Sequence, residues 1–382
     1  MNTLIVVDDE RGFADFVAKV ALTAGYRVDV ADTAAAFRQM TEDTWPTVLV
    51  LDLQMPDTDG IELLREIAVR GCNSKVMLVS GMDGRVLNSA YRLGAELGLG
   101  MAGKVTKPVR APELKRLLED MRGHNPPIGA EALAAALAGD QLFLLYQPKV
   151  DIRARNVVGV EALVRWRTED GRTIMPDAFI PLAETSGLID PLTRWVVRTA
   201  FRQAADWHRN GLNIHMAVNL SVGNIHDRQL PDELAGLCSS VGIKPEMITL
   251  ELTETASTKD SGMLLEILGR FRLKGFNLSI DDFGTGYSSV AQLLRLPFSE
   301  LKIDKSFVSE ICHSTEAEIV AKTLIDMAHN LKLKTVAEGV ESEGILQALH
   351  AWGCDLAQGY YFSKPVDAAA IEHMVTASHF TV

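Results

Sequence analysis

Apolar residues along this chain come in short runs separated by longer amphipathic stretches, and the alternation repeats from one end to the other. Runs at residues 4–7, 27–30, 47–51 and 75–79, and a weaker one at 97–101, read as buried strands. Four consecutive apolar residues bounded by polar turns, as at 4–7, 48–51 and 76–79, suit a sheet covered on both faces, while 27–30 alternates apolar and polar. Residues 12–24 and 61–70 carry apolar side chains at helical spacing instead. Five strands alternating with helices in about 120 residues predict a doubly wound α/β sheet of flavodoxin-like order.

A helix over 111–121 runs into Gly123 and then Pro126-Pro127, which cannot continue it. That stretch predicts a linker at 123–129, dividing a first domain, 1–122, from a second, 130–382. The second opens with an amphipathic helix at 130–138, bearing Leu133 and Leu137, and a strand at 143–146. Strands and helices then alternate to the end, and about 250 residues fit one (β/α)8 TIM-type barrel.

Polar residues sit at telling places in that pattern. Glu161, Asn219, Glu251, the pair Asp281-Asp282, Lys302 and Glu338 each fall at or just past the end of an apolar run. One charge ending one strand is ordinary. Six successive strands so marked predict a barrel whose C-terminal mouth is lined with catalytic groups. Carboxylates with one amide and one lysine are the oxygen-rich chemistry that hard divalent cations take. Adjacent strand residues point to opposite sides, so Asp281 and Asp282 can both be ligands only if the chain bends there. The glycines of 283–289 permit the bend and suggest a mobile loop. Such a set suits two-metal hydrolysis, with Lys302 placing water or offsetting developing charge, and Arg165 forking onto phosphate oxygens.

In the first domain, Asp8 and Asp9 end the first strand and Asp52 the third. Ser80 ends the fourth strand, and Lys107 follows the fifth, before Pro108. Three carboxylates at the carboxyl edge of a parallel sheet make a magnesium site, and the hydroxyl and ammonium can hold extra oxygens on a phosphorylated aspartate.

The net charge of −12 argues against binding nucleic-acid polymers, which needs a basic surface, and calls for cations at any site taking a phosphodiester. Cys72, Cys238, Cys312 and Cys354 lack metal-ligand spacing, so reduced thiols in a cytoplasmic protein are expected. No apolar run reaches the length of a membrane span, and no signal peptide is evident.

The strings Val7-Asp8-Asp9-Glu10, Leu51-Asp52-Leu53-Gln54-Met55-Pro56, Val79-Ser80-Gly81 and Lys107-Pro108 resemble response-regulator receiver domains. The resemblance implies Asp52 as phosphoacceptor, Asp8, Asp9 and Asp52 as Mg2+ ligands, and Ser80 and Lys107 as switch groups. It also implies a histidine kinase or other phosphodonor as partner, with a homodimer as the expected oligomer. Lys104 stands where such domains carry an aromatic switch residue, and residues 93–103, with four glycines, suit the usual fourth helix and fifth strand poorly. A receiver fold kept only for dimerisation is the alternative.

Glu161-Ala162-Leu163-Val164-Arg165-Trp166 resembles the signature of EAL domains, the cyclic di-GMP phosphodiesterase family. Tyr146-Gln147-Pro148, Asn219-Leu220-Ser221, Glu251-Leu252-Thr253-Glu254 and Asp281-Asp282-Phe283-Gly284 follow the same pattern in order. So do Leu301-Lys302-Ile303-Asp304, Ala337-Glu338-Gly339 and Gln358-Gly359-Tyr360. The resemblance implies hydrolysis of cyclic di-GMP to pGpG with two Mg2+ or Mn2+ ions. Glu161, Asn219, Glu251 and Asp281 would hold the first ion, and Asp281, Asp282 and Glu338 the second. Lys302 would orient the water, Glu338 would be a candidate base, and Glu254 would anchor the 282–289 loop. Gln147, Leu163, Arg165 and Gln358 would contact or support the substrate. The competing reading is a catalytically silent EAL fold serving as a cyclic di-GMP receptor or scaffold. Such proteins usually show substitutions among these residues, and none is visible here. No cyclase signature accompanies the motifs.

Overall fold

A computed structural model describes residues 2–42, 44–56, 58–81, 84–122, 129–253, 261–284 and 290–376. The chain divides into two compact units, Met1–Pro126 and Pro127–Val382. The expected linker at 123–129 lies outside the described residues except for Gly129.

The first unit is a five-stranded parallel sheet: β1 (Thr3–Val7), β2 (Arg27–Ala31), β3 (Val48–Asp52), β4 (Lys75–Ser80) and β5 (Gly100–Thr106). Its order, β2-β1-β3-β4-β5, is the flavodoxin-like one. The period of two sorts its strands onto two cores. Leu4, Val6, Val48 and Val50 pack beneath helices Arg11–Thr23 and Ala111–Arg122. Ile5, Val7, Leu49 and Leu51 pack beneath Gly60–Val69 and Gly84–Glu96.

The fifth strand departs from expectation. Residues 97–99 belong to a turn, and the strand starts at Gly100. The glycines that suggested looseness make room for methionines. A Cβ at Gly94 would lie 2.5 Å from the Met101 sulfur, and one at Gly103 2.8 Å from the Met121 methyl. Helix and strand are both formed around that packing.

The second unit is a closed eight-stranded barrel. Its strands are β6 (Leu142–Asp151), β7 (Asn156–Arg167), β9 (His215–Asn219), β10 (Ile248–Thr253), β11 (Asn277–Phe283), β12 (Glu300–Ile303), β13 (Lys334–Ala337) and β14 (Leu356–Ala357). A two-residue strand, β8 (Thr173–Ile174), pairs on the outer end of β7. Seven staves are mutually parallel, but β6 is antiparallel to both neighbours, β7 and β14. The cause is local. Only residues 152–155 join β6 to β7, too few for a crossover helix. The Asp151 carboxylate accepts the N–H groups of Arg153 and Ala154, and Arg155 turns at φ 53°.

Alternation also sets what the barrel encloses. Val160, Val218, Leu250, Leu252, Ile280, Leu301 and Ile303 face outward into cores beneath the surrounding helices. The intervening residues face inward, and they are Glu161, Asn219, Glu251, Asp281 and Lys302 rather than the bulky aliphatics of most such barrels. The interior is therefore polar along much of its depth.

Candidate active site

Lys302 is the centre of that interior. Its ammonium lies 2.7 Å from Glu338 Oε1, 2.9 Å from Glu251 Oε2, 3.0 Å from Asp281 Oδ1 and 3.5 Å from Glu161 Oε2. Burial alone favours the neutral amine, but the surrounding carboxylates reverse this and hold the group firmly charged. Glu161 is fixed by two amides as well. Asn219 Nδ2 donates to its Oε1 at 2.8 Å, and Gln358 Nε2 to its Oε2 at 2.7 Å. Gln358 Nε2 also reaches Gln147 Oε1 at 2.9 Å, across the seam where β6 meets β14. Gln358 Oε1 is buried without a protein hydrogen-bond partner.

The strand-end reading of these residues needs correcting in one respect. Glu161 lies mid-strand in β7, opposite Gln147 and six residues before the end, and Glu251 and Lys302 also lie within their strands. Inward parity, rather than strand termination, puts them in the site. Asn219 does end β9, and Glu338 follows β13. The anticipated bend is present: register slips between Ile280 and Phe283, and Asp282 takes φ 55°. This turns both aspartates toward one place, with carboxylate oxygens of Asp281, Asp282 and Glu338 within 4.8 Å of one another.

The expected metal set therefore forms two overlapping groups, the trio of carboxylates and the group tied to Lys302, which share Asp281 and Glu338. Its chemistry suits divalent cations. The trio offers hard oxygen donors at close quarters, and two of its members resist ionising together. Burial, reinforced by Asp281 and Glu161 and opposed by Lys302, pushes Glu338 up to about 8. Burial and the neighbouring Asp281 and Asp304 push Asp282 up to about 6. The single Lys302 ammonium, shared with Glu161 and Glu251, does not offset three carboxylates, and a cation supplies the further positive charge.

Both values exceed the ordinary ones of 4.5 and 3.8 that hold in the unfolded chain. The folded chain thus binds more protons in the interval, and the stability these groups contribute is full in acid and lost as pH rises through 6 and 8. Without metal, the melting temperature of the barrel is expected to fall between roughly pH 5 and 8.5, and Mg2+ should flatten that slope. Calorimetry at several pH values checks this; an identical slope with and without Mg2+ would assign it to other groups.

Among the proposed substrate contacts, Arg165 is buried and donates to the Val164 carbonyl at 2.8 Å, while Leu163 is half-buried on β7. A mouth cavity of about 270 Å³ is lined by Gln147, Glu161, Glu338 and Gln358, together with Lys305, Glu341 and Tyr360. A Cβ on Gly359 would collide with the Val340 backbone at 2.1 Å, so Gln358 can approach only because glycine follows it. Glu254 and residues 285–289 lie outside the described residues.

In the first unit, Asp8, Asp9 and Asp52 bring carboxylate oxygens within 4.8 Å of one another. Lys107 Nζ bridges Asp8 at 2.8 Å and Asp52 at 2.9 Å, and lies 4.4 Å from the centre of the Phe13 ring. Burial raises the Asp8 pKa, Asp52 adds to this, and Lys107 opposes it. Ser80 is buried at the end of β4, and its carbonyl accepts the Lys107 N–H at 2.8 Å. Lys104 is exposed on β5, bonded to Asn88 and 5.5 Å from the centre of the Tyr91 ring.

Two family matches decide the identity: the EAL domain over residues 130–365 and the response regulator receiver domain over residues 4–119. The chain belongs to the EAL domain family. The chain is 42% identical over 251 residues to cyclic di-GMP phosphodiesterase NbdA of Pseudomonas aeruginosa, covering 65% of this chain and 32% of that protein. It is 38% identical over 259 residues to the bifunctional diguanylate cyclase/cyclic di-GMP phosphodiesterase MucR of the same species, covering 68% and 36%. The chain thus spans about a third of each of these curated relatives. The PaMucR phosphodiesterase in its c-di-GMP complex superposes with a TM-score of 0.61 at 38% identity, covering 63% of this chain and 98% of that one. EAL domains are metal-dependent, and the acidic trio of this one could hold a metal. No helix among the described residues is long and apolar enough to cross a membrane.

Two charged residues of the EAL interior escaped the sequence reading. Lys149, on β6, lies 2.6 Å from Glu251 Oε1 and 3.1 Å from Glu300 Oε1. Burial and the two ammoniums contend over Glu251, and Lys149 and Lys302 prevail, holding it at about 2. The signal was available: Gln147, Lys149 and Asp151 share one parity in a strand that alternates.

Proposed function

We propose that this chain is a response regulator whose EAL domain hydrolyses cyclic di-GMP to pGpG, with activity modulated by phosphorylation of Asp52. The observation that carries this reading is the gathering of Glu161, Glu251, Asp281 and Glu338 around Lys302 at the barrel mouth, next to the Asp281-Asp282-Glu338 trio. Glu161, Asn219, Glu251 and Asp281 would hold one Mg2+ or Mn2+ ion, and Asp281, Asp282 and Glu338 a second. When bound, such ions activate water as a nucleophile and offset charge on phosphoryl oxygens.

The chain's own groups do the rest. Lys302, held charged by its neighbours, orients the attacking water and counters the negative charge that builds at phosphorus. Without metal, Glu338 holds a proton near neutral pH; beside a bound cation it would lose that proton and be free to serve as ligand or base. Gln147 and Gln358, bonded to each other, and Leu163 line the substrate's path, and the Arg165 fork suits a phosphate oxygen pair. In the receiver, Asp8, Asp9 and Asp52 would hold Mg2+, Asp52 would accept the phosphoryl group from a histidine kinase or small phosphodonor, and Ser80 and Lys107 would bind its oxygens.

The deciding experiment is chromatographic assay of cyclic di-GMP turnover with Mg2+ or Mn2+ by the parent and Glu161→Ala. Formation of pGpG by the parent alone supports the reading. Tight nucleotide binding without turnover moves the chain to the receptor class. Calcium should support far slower turnover, because the larger ion relaxes the oxygen geometry. For regulation, acetyl phosphate is expected to change turnover of the parent and leave Asp52→Asn unaffected. Equal rates in all four conditions would remove the receiver from control of the barrel.

A further inference from the structure

We propose that Lys149 is a positioning residue for the barrel site: it holds one Glu251 oxygen from beneath, leaving the other for the mouth. The inference rests on the reading of the barrel as a metal-dependent phosphodiesterase, and it names a residue outside the expected ligand set.

The strand directions define what beneath means here. Glu300 and Lys302 lie two residues apart on β12, with Glu300 at the strand's start and Lys302 nearer its C-terminal end. Lys149 contacts Glu300, while Lys302 contacts Asp281 and Glu338. Glu251 is held between the two levels, with Oε1 on Lys149 at 2.6 Å and Oε2 on Lys302 at 2.9 Å. Because β6 runs against the other strands, Lys149 lies deeper than Gln147, which bonds Gln358 near the mouth.

Small residues make room for it. Gly159 pairs directly opposite Lys149, and Ala217 lines the same cavity. That cavity, of about 320 Å³, extends toward the N-terminal ends of the strands, with exposed His215 and Lys334 on its wall. Remove the Lys149 ammonium, and Glu251 is free to turn both oxygens onto Lys302. Lys302 is then drawn down, away from Asp281 and Glu338, and the mouth loses both a carboxylate and its lysine geometry. The loss falls on cation affinity and the chemical step, not on the substrate contacts made by Gln147 and Arg165.

The test uses the full chain carrying Asp8→Asn and Asp52→Asn, which silences the receiver cluster, titrated with Mn2+ and followed by electron paramagnetic resonance of the free ion. Lys149→Met, of similar volume, is expected to weaken barrel Mn2+ binding roughly tenfold. It should lower kcat for cyclic di-GMP with less than a twofold change in KM, while Lys149→Arg keeps most of the parent's affinity. Lys149→Ala lengthens the lower cavity up to Glu251, so added ethylammonium should restore part of its Mn2+ affinity. Lys149→Met, with the space filled, should not respond. Affinity in Lys149→Met within twofold of a parent that binds Mn2+ overturns the proposal, as does equal amine rescue of both variants. A parent that binds no Mn2+ in the barrel overturns the phosphodiesterase reading instead. Should Lys149→Ala fail to fold, the Met and Arg pair decides the matter alone.

Discussion

In metal-free buffer, Lys302→Met is expected to destabilise the barrel by about 3–5 kcal/mol, the usual cost of removing one partner from a buried ion cluster. The side chain is almost completely buried, and its ammonium serves Glu161, Glu251, Asp281 and Glu338 together. Without it, Glu251 keeps Lys149, but the other three carboxylates have no buried ammonium among the described contacts. They must then take up protons or drive the strands apart. Calorimetry resolving the barrel transition reads the loss, and Mg2+ should recover much of it by supplying charge at the same place. Turnover should not recover with it, and a fall of roughly 10²–10³-fold is expected to persist at saturating Mg2+. A metal-free melting temperature equal to the parent's would mean that protons already neutralise the cluster and that Lys302 is not its counterion.

Asp281→Asn is expected to lower cyclic di-GMP turnover by roughly a thousandfold while the fold persists. Asparagine keeps the volume and can still accept the Asp282 N–H, a bond of 3.0 Å in the parent. What it removes is one of the two carboxylates, with Glu338, that belong both to the Lys302 cluster and to the acidic trio, and the one placed between the two proposed ion sites. Metal-free stability should change little or rise, since like charge near Glu338 and Asp282 is relieved. Single-turnover formation of pGpG measures the effect, and a rate within tenfold of the parent would falsify the placement of Asp281 at the heart of the chemistry.

Much of this arrangement was legible in the amino-acid order, and the misses have physical causes. The receiver sheet was readable because its three central strands, β1, β3 and β4, are covered on both faces, so unbroken aliphatic runs such as Leu4–Val7 stand out. The fifth strand was misplaced because Gly100 and Gly103 dilute its apolar signal, and what they make room for, the Ser74 backbone at Gly100 and the Met121 methyl at Gly103, depends on distant chain. The barrel residues were found for a partly mistaken reason. Glu161 and Glu251 looked like strand ends because hydropathy stops at a charge, whereas a polar barrel interior lets the strand continue past it. The same habit hid Lys149, which sits between Pro148 and Val150 and seemed to lie outside the pattern of strand-ending charges. The antiparallel course of β6 follows from a four-residue connection that a β/α rhythm passes over. Residues 254 and 285–289, assigned to the loop and its anchor, lie outside the described structure.

The Gln147–Gln358 bond joins residues 211 apart, at the seam where the first stave of the barrel meets the last. Such a contact carries a large loop-closure entropy and closes the ring only once both ends of the barrel are in place. Glu161 takes one of its amide bonds from the same Gln358, so the pocket cannot be assembled while the ring is open. A ribosome that stalls before residue 358, or a protease that clips the chain there, would leave a polypeptide with most of its acidic residues and no working pocket. Closure of the ring thus couples completion of the fold to completion of the pocket.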